Sequence, residues 1–199
     1  MTLANKLTIA RLAMALAAFV CLWIQRPWSY AAALALYVVA TITDWMDGYI
    51  ARATKSISPF GKIADPLADK VLVIGALVAL VREPRVVIPL WAVFLIIVRE
   101  LLVGGIRGLS AVQGVIIPAD RGGKWKMAIQ SVVVILILVL LTAEVSIGWP
   151  VPRWMMETAA PLVILSAIVA VLSGLQYGWN ARELLKKTWN APKNGGDPS

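Results

Sequence analysis

Six predominantly apolar stretches follow one another through this chain, each close to the roughly 20 residues that cross a hydrocarbon core. They are Leu7–Ile24, Tyr30–Ile50, Asp65–Val81, Val86–Ile106, Lys126–Ala143 and Ala159–Trp179. The breaks between them carry turn chemistry: Arg26-Pro27-Trp28-Ser29, Ser58-Pro59-Phe60-Gly61, Arg82-Glu83-Pro84-Arg85, Asp120-Arg121-Gly122-Gly123 and Gly148-Trp149-Pro150. Of 199 residues, 60% are hydrophobic and 15% charged. A soluble domain carries about a quarter charged residues, so too little polar side chain is present to cover a globule in water. The predicted fold is all-α: a six-transmembrane-helix bundle forming a single membrane domain over residues 1–189. A disordered tail is expected at 190–199, and no cleavable signal is expected at the N-terminus.

Residue types narrow the chemistry. Histidine is absent and Cys21 is the only cysteine, which excludes imidazole bases, thiolate metal sites and intrachain disulfides. The net charge is +8, but nine tryptophans in an apolar chain fit a bilayer interface rather than nucleic acid. Only Arg26, Arg82, Arg85 and Arg153 fall on one side of the predicted helices. The remaining fifteen of the 19 basic residues lie on the other. The positive-inside rule then puts both termini in the cytoplasm.

On that topology the intramembrane charges converge at the cytoplasmic ends. Asp44 and Asp47 end helix 2, Asp65 and Asp69 begin helix 3, Arg99, Glu100 and Arg107 mark helix 4, and Lys124 and Lys126 open helix 5. Ionisable groups in a membrane face protein or a water-filled cavity and mark function. A polar cavity open to the cytoplasm is therefore predicted, with apolar, packed extracytoplasmic halves. Snorkelling to the headgroups accounts for a long Lys62 or Lys186, but not for four short aspartates around one break.

Asp44 and Asp47 are three apart and Asp65 and Asp69 four apart, so each pair shares a helix face. The intervening break is expected to fold helices 2 and 3 into an antiparallel hairpin that sets the pairs against each other. Four adjacent carboxylates repel, and a divalent cation removes the conflict. Oxygen-only ligands favour Mg²⁺ or Mn²⁺ over Zn²⁺, and two ions suit phosphoryl chemistry. Gly48, Ala51 and Arg52 continue the face of Asp44 and Asp47. They leave room for a flat group beside a guanidinium fork for phosphate, although small residues alone also serve helix packing. Arg107, Lys124 and Lys126 form a cationic set near the cavity mouth that suits an acceptor phosphate, the positive-inside rule being the simpler reading of the two lysines. Arg99, deeper, is expected to pair with Glu100 or an aspartate.

The run Asp44-x2-Asp47-Gly48-x2-Ala51-Arg52-x8-Gly61-x3-Asp65-x3-Asp69 resembles the full signature of the CDP-alcohol phosphatidyltransferase family. Asn5-x2-Thr8-x2-Arg11 and Gln176-Tyr177 extend the likeness. Two segments, Arg99-Glu100-Leu-Leu-Val-Gly-Gly-Ile-Arg107 and Gly123-Lys124-Trp-Lys126-Met-Ala-Ile-Gln130, resemble the bacterial branch that uses sn-glycerol 3-phosphate. The resemblance implies a homodimer of the bacterial inner membrane that takes CDP-diacylglycerol laterally from the cytoplasmic leaflet. It implies metal on Asp44, Asp47, Asp65 and Asp69, with Asp69 also the general base. It places the CDP moiety against Asp44, Asp47, Gly48, Arg52, Ser58, Gly61 and Thr8. Other acceptors (inositol phosphate, serine, phosphatidylglycerol) stay open. So does a divalent-cation transporter, against which stand the one-sided carboxylates and apolar outer halves.

Overall fold

In this computed structural model the backbone is described for residues 3–54, 59–112 and 121–182. Side chains are described for residues 7–44, 67–110 and 125–182. The tail at 190–199 and Ser58 lie outside these residues.

Among the described residues six long helices form, with one short helix between the last two. They are α1 Leu3–Ile24, α2 Pro27–Thr54, α3 Pro59–Val81, α4 Leu90–Val112, α5 Arg121–Leu141, α6 Arg153–Glu157 and α7 Ala159–Asn180, and a π-helical turn at Thr142–Ile147 extends α5. The first three breaks are shorter than expected or displaced, for identifiable reasons. Proline fits the first turn of a helix, so α2 starts at Pro27 and α3 at Pro59. Ser29 Oγ accepts from Arg26 N–H at 3.0 Å and donates to Arg26 O at 2.9 Å, stapling the start of α2. Gln25, at φ 54°, supplies the reversal from α1. Pro84 and Pro89 delay α4 to Leu90, and its helix then runs on past Arg107.

The direct α2–α3 hairpin expected from sequence order is corrected. Among the described residues α1 packs against both α2 and α3, which touch each other only slightly. On the far side α4 and α5 both lie against α7, and α5 also meets α2. Tyr30, Tyr37, Leu77, Ile96, Ile137, Leu138 and Val163 fill the core, and alanines such as Ala33, Ala40, Ala92 and Ala167 let helix backbones approach.

The outside is apolar as well. Leu16, Val39, Phe94, Leu101, Val132 and Leu172 are all exposed, far more than a water-facing surface tolerates. Every described tryptophan is exposed, and they sort to the two ends of the bundle. Trp23, Trp28, Trp91, Trp149 and Trp154 stand at one end, Trp125 and Trp179 at the other. That is the distribution of two interfacial belts. Three helical segments, Leu7–Ile24, Trp125–Ile147 and Arg153–Asn180, are long and apolar enough to cross a membrane. The charges gathered on α2, α3 and α4 distinguish the other long helices.

The end bearing five tryptophans is not purely apolar, contrary to expectation. Glu83 is buried there and accepts from Tyr30 Oη, from Gln25 Nε2 at 3.4 Å, and from Arg85 Nη1 at 2.9 Å and Arg85 N–H at 3.2 Å. The bond to Glu83 holds the Arg85 guanidinium above its usual pKa. Arg82 lies 4.2 Å over the Trp23 ring, and Ser146 donates to Pro27 O from the π-helical turn. These contacts join α1, α2, the α3–α4 connection and the end of α5. Tyr30→Phe deletes one hydrogen bond to a charge without opening a cavity, and should cost about 1.5–3 kcal/mol. Thermal unfolding in detergent micelles checks this, and an unchanged midpoint would remove Tyr30 from the clamp.

Candidate active site

At the opposite end every long helix contributes polar side chains. α1 buries Thr8 and, one turn on, Arg11, which is completely enclosed. Arg11 Nη1 lies 2.7 Å from Asp44 Oδ1 of α2 and 3.4 Å from Asp69 Oδ1 of α3. One carboxylate from each sequence pair thus meets at a single guanidinium.

A second cluster adjoins it. Glu100 of α4 is buried and accepts from Arg99 Nη1 at 2.9 Å and from Lys126 Nζ of α5. Arg99 also donates to Ala170 O at 3.2 Å and to Ser173 Oγ at 2.9 Å, tying α4 to α7. The expected Arg99–Glu100 pair is present. Lys70 donates to the Glu100 carbonyl at 3.2 Å, and Arg107 sits 5.9 Å from the Tyr177 ring centroid. Lys70, Arg99, Arg107 and Lys126 thereby gather around Glu100, the one carboxylate among them in the described residues.

The two clusters have opposite sign and meet at consecutive residues. Asp69 and Lys70 diverge by about 100° around α3, so one turns to Arg11 and the other to α4. A void of about 10 Å³, room for a single water at most, lies between them, lined by Asp69, Lys70, Glu100, Lys126 and Gln130. Gln130 Nε2 is buried there with no hydrogen-bond partner among the described residues.

Two glycines permit this arrangement. A Cβ on Gly104 would stand 2.7 Å from Lys70 Nζ, and one on Gly174 would stand 2.8 Å from Arg99 Cγ. Gly104 and Gly174 therefore give two long cations their paths across neighbouring helices.

Of the residues singled out from sequence, Thr8, Asp44, Asp69, Arg107 and Lys126 are placed at this end of the bundle. Asp47, Gly48 and Arg52 lie on the α2 backbone, Gly61 and Asp65 on α3, and Lys124 on α5. Their side chains are outside the described residues. Among those described, no three metal-ligating side chains converge. The donor chemistry of Asp44 and Asp69 nevertheless fits a hard divalent ion: carboxylate oxygens from two helices approach one point. Lys126 is placed on Glu100 rather than in the open. Lys70 was overlooked in sequence because a lysine beside an aspartate at a helix start reads as a snorkelling charge. The glycine across from it was the available signal.

Residues 1–176 match the profile of the CDP-alcohol phosphatidyltransferase family. The chain belongs to that family. Among its relatives is a CDP-diacylglycerol–glycerol-3-phosphate 3-phosphatidyltransferase of Bacillus subtilis (strain 168), 33% identical over 96% of this chain and 97% of the relative. One of the same name from Cereibacter sphaeroides is 37% identical over 65% of this chain and 60% of its own length. A cardiolipin synthase (CMP-forming) of Oryza sativa subsp. japonica is 29% identical over 95% of this chain and 58% of its own length.

For this phosphatidyltransferase, Gly174→Ala should be the costlier of the two glycine changes. It presses a methyl group on the Arg99 stem, whereas Gly104→Ala meets only the movable tip of Lys70. A loss of about 1–3 kcal/mol is expected for Gly174→Ala and less for Gly104→Ala. Thermal unfolding of the two variants side by side checks the order.

Proposed function

We propose that the chain is a phosphatidylglycerophosphate synthase, transferring the phosphatidyl group of CDP-diacylglycerol to sn-glycerol 3-phosphate and releasing CMP. The carrying observation is the junction at Asp69 and Lys70 between an acidic and a basic cluster. The acidic side suits a metal-bound pyrophosphate, and the basic side suits an acceptor that itself bears a phosphate dianion. The names of the bacterial relatives support the same substrates. The reading includes six membrane spans with both termini cytoplasmic, a cavity open to that side, the bacterial inner membrane as location, and a homodimer.

Asp44, Asp47, Asp65 and Asp69 would hold two Mg²⁺ or Mn²⁺ ions, which supply charge neutralisation at the pyrophosphate. Arg52, Gly48, Ser58, Gly61 and Thr8 seat the CDP moiety. Asp69 takes the proton from the acceptor 1-hydroxyl as its oxygen bonds to the β-phosphorus. The bond from that phosphorus to the CMP oxygen breaks, and CMP leaves with the electron pair. Arg11 holds Asp69 toward Asp44 while this happens. Arg107, Lys124 and Lys70 receive the acceptor phosphate, with Lys126 acting through Glu100. Positioning and charge complementarity supply most of the rate.

Chelation with EDTA should abolish CMP release, and Mg²⁺ or Mn²⁺ should restore it; full turnover of metal-free protein refutes the metal assignment. Asp69→Asn should lower turnover by at least about 10²-fold while CDP-diacylglycerol binding is largely kept. An acceptor panel tests the rest. Transfer to glycerol 3-phosphate should exceed transfer to inositol or serine by well over tenfold, and Arg107→Gln should raise the KM for glycerol 3-phosphate more than that for the donor. Preferred transfer to phosphatidylglycerol would instead favour the cardiolipin-forming reading that the rice relative's name supports.

A further inference from the structure

Among the described residues, a cavity far larger than the void beside Asp69 lies away from the carboxylates. It is a groove of about 850 Å³ between the outer faces of α4 and α7, walled by Leu95, Leu102 and Ile106 on one side and Val171, Leu175 and Gly178 on the other. Its volume falls in the roughly 300–1,000 Å³ range of small-molecule sites. No residue of α1, α2 or α3 lines it, and Glu100 faces the opposite way, toward Lys126.

Length and charge identify its occupant. From Leu95 to Ile106 the groove runs about 16 Å along the helix, close to half of a hydrocarbon core of about 30 Å. It is therefore one leaflet deep. Its mouth lies at the end of α7, where Arg182 sits 4.5 Å from the ring of exposed Trp179, both lining the groove. An arginine and an interfacial tryptophan at the mouth of an apolar groove complement a lipid phosphate above acyl chains. Arg99 is the other charge on the wall, and Glu100 and Ser173 already engage it.

We propose that this groove holds a resident anionic diacyl phospholipid of the leaflet on the charged side of the bundle, separate from the CDP-diacylglycerol donor. Its chains lie along α4 and α7 and its phosphate meets Arg182. The inference rests on the membrane-spanning reading above, but not on the reaction assigned to the aspartates. Gly178 offers a clean probe: a Cβ there meets nothing within 4 Å, so a larger side chain enters the groove without striking the fold.

The test uses the full chain in phosphatidylcholine vesicles containing phosphatidylglycerol or phosphatidylcholine with brominated acyl chains. Trp179 emission is taken as the difference from a Trp179→Phe chain. Brominated phosphatidylglycerol should half-quench that emission at about fivefold lower mole fraction than brominated phosphatidylcholine. Gly178→Leu should abolish the tight quenching. Arg182→Gln, at an exposed position, should erase the headgroup preference and keeps the test decisive if Gly178→Leu folds poorly. Equal quenching by the two lipids overturns the proposal. So does unchanged quenching in a folded Gly178→Leu chain, or recovery of emission on adding CDP-diacylglycerol, which would give the groove to the donor. CMP release is measured separately. An active protein with no lipid preference sinks the groove alone, and an inactive one that keeps the preference sinks only the reaction.

Discussion

A charge removed from water must find a partner, and Arg11 is where this chain meets that requirement most severely. Its side chain is wholly enclosed, yet it carries a permanent charge into a bundle with an apolar exterior. The pairing with Asp44 and Asp69 answers that cost and also fixes the architecture. α1 is drawn between α2 and α3, and the two carboxylate helices are registered through it rather than against each other. The register of three helices thus runs through one guanidinium.

The same rule explains the basic cluster by its failure to balance. Among the described residues Glu100 compensates Arg99 and Lys126, while Lys70 meets the Glu100 carbonyl oxygen and Arg107 an aromatic face. Like charges held this close in a poorly solvated bundle repel. Such an arrangement persists when an anionic ligand completes it. The glycines at 104 and 174 show that the cations are placed rather than tolerated, since each clears the path of one long side chain. Metal on the acidic side and phosphate on the basic side would bring both clusters near neutrality together.

Much of this was legible in the sequence because membrane helices obey a length rule and the aspartate pairs obey a spacing rule. The six long helices, the gathering of charge at the end that carries the aspartate pairs and the Arg99–Glu100 pair all follow from such local regularities. What escaped depends on contacts between distant residues. Chain order implied an α2–α3 hairpin, but the buried arginine on α1 intervenes. The Arg82-Glu83-Pro84-Arg85 run read as a turn, and only the fold brings Tyr30 and Gln25 to Glu83. Lys70 was hidden because its role lies in Gly104, more than thirty positions on. The ends of α2 and α3 moved because proline, a breaker inside a helix, is a good first residue of one.

Charge balance also separates the two polar ends. At the end with five tryptophans Glu83 is matched by Arg85, and Tyr30 and Gln25 add neutral donors, while Glu144 Oε2 is buried with no hydrogen-bond partner among the described residues. At the other end, among the described residues, cations outnumber carboxylates around Glu100, and a carboxylate pair shares one arginine across the α3 seam. Both ends are buried hydrogen-bonded networks, and burial alone does not distinguish them. At the first end Glu83 and Arg85 serve to hold helices together. At the second, charge of both signs stands on either side of Asp69, which suits the transfer proposed above. A clamp and a reaction site can thus be built from the same residue types, and the surplus charge decides which is which.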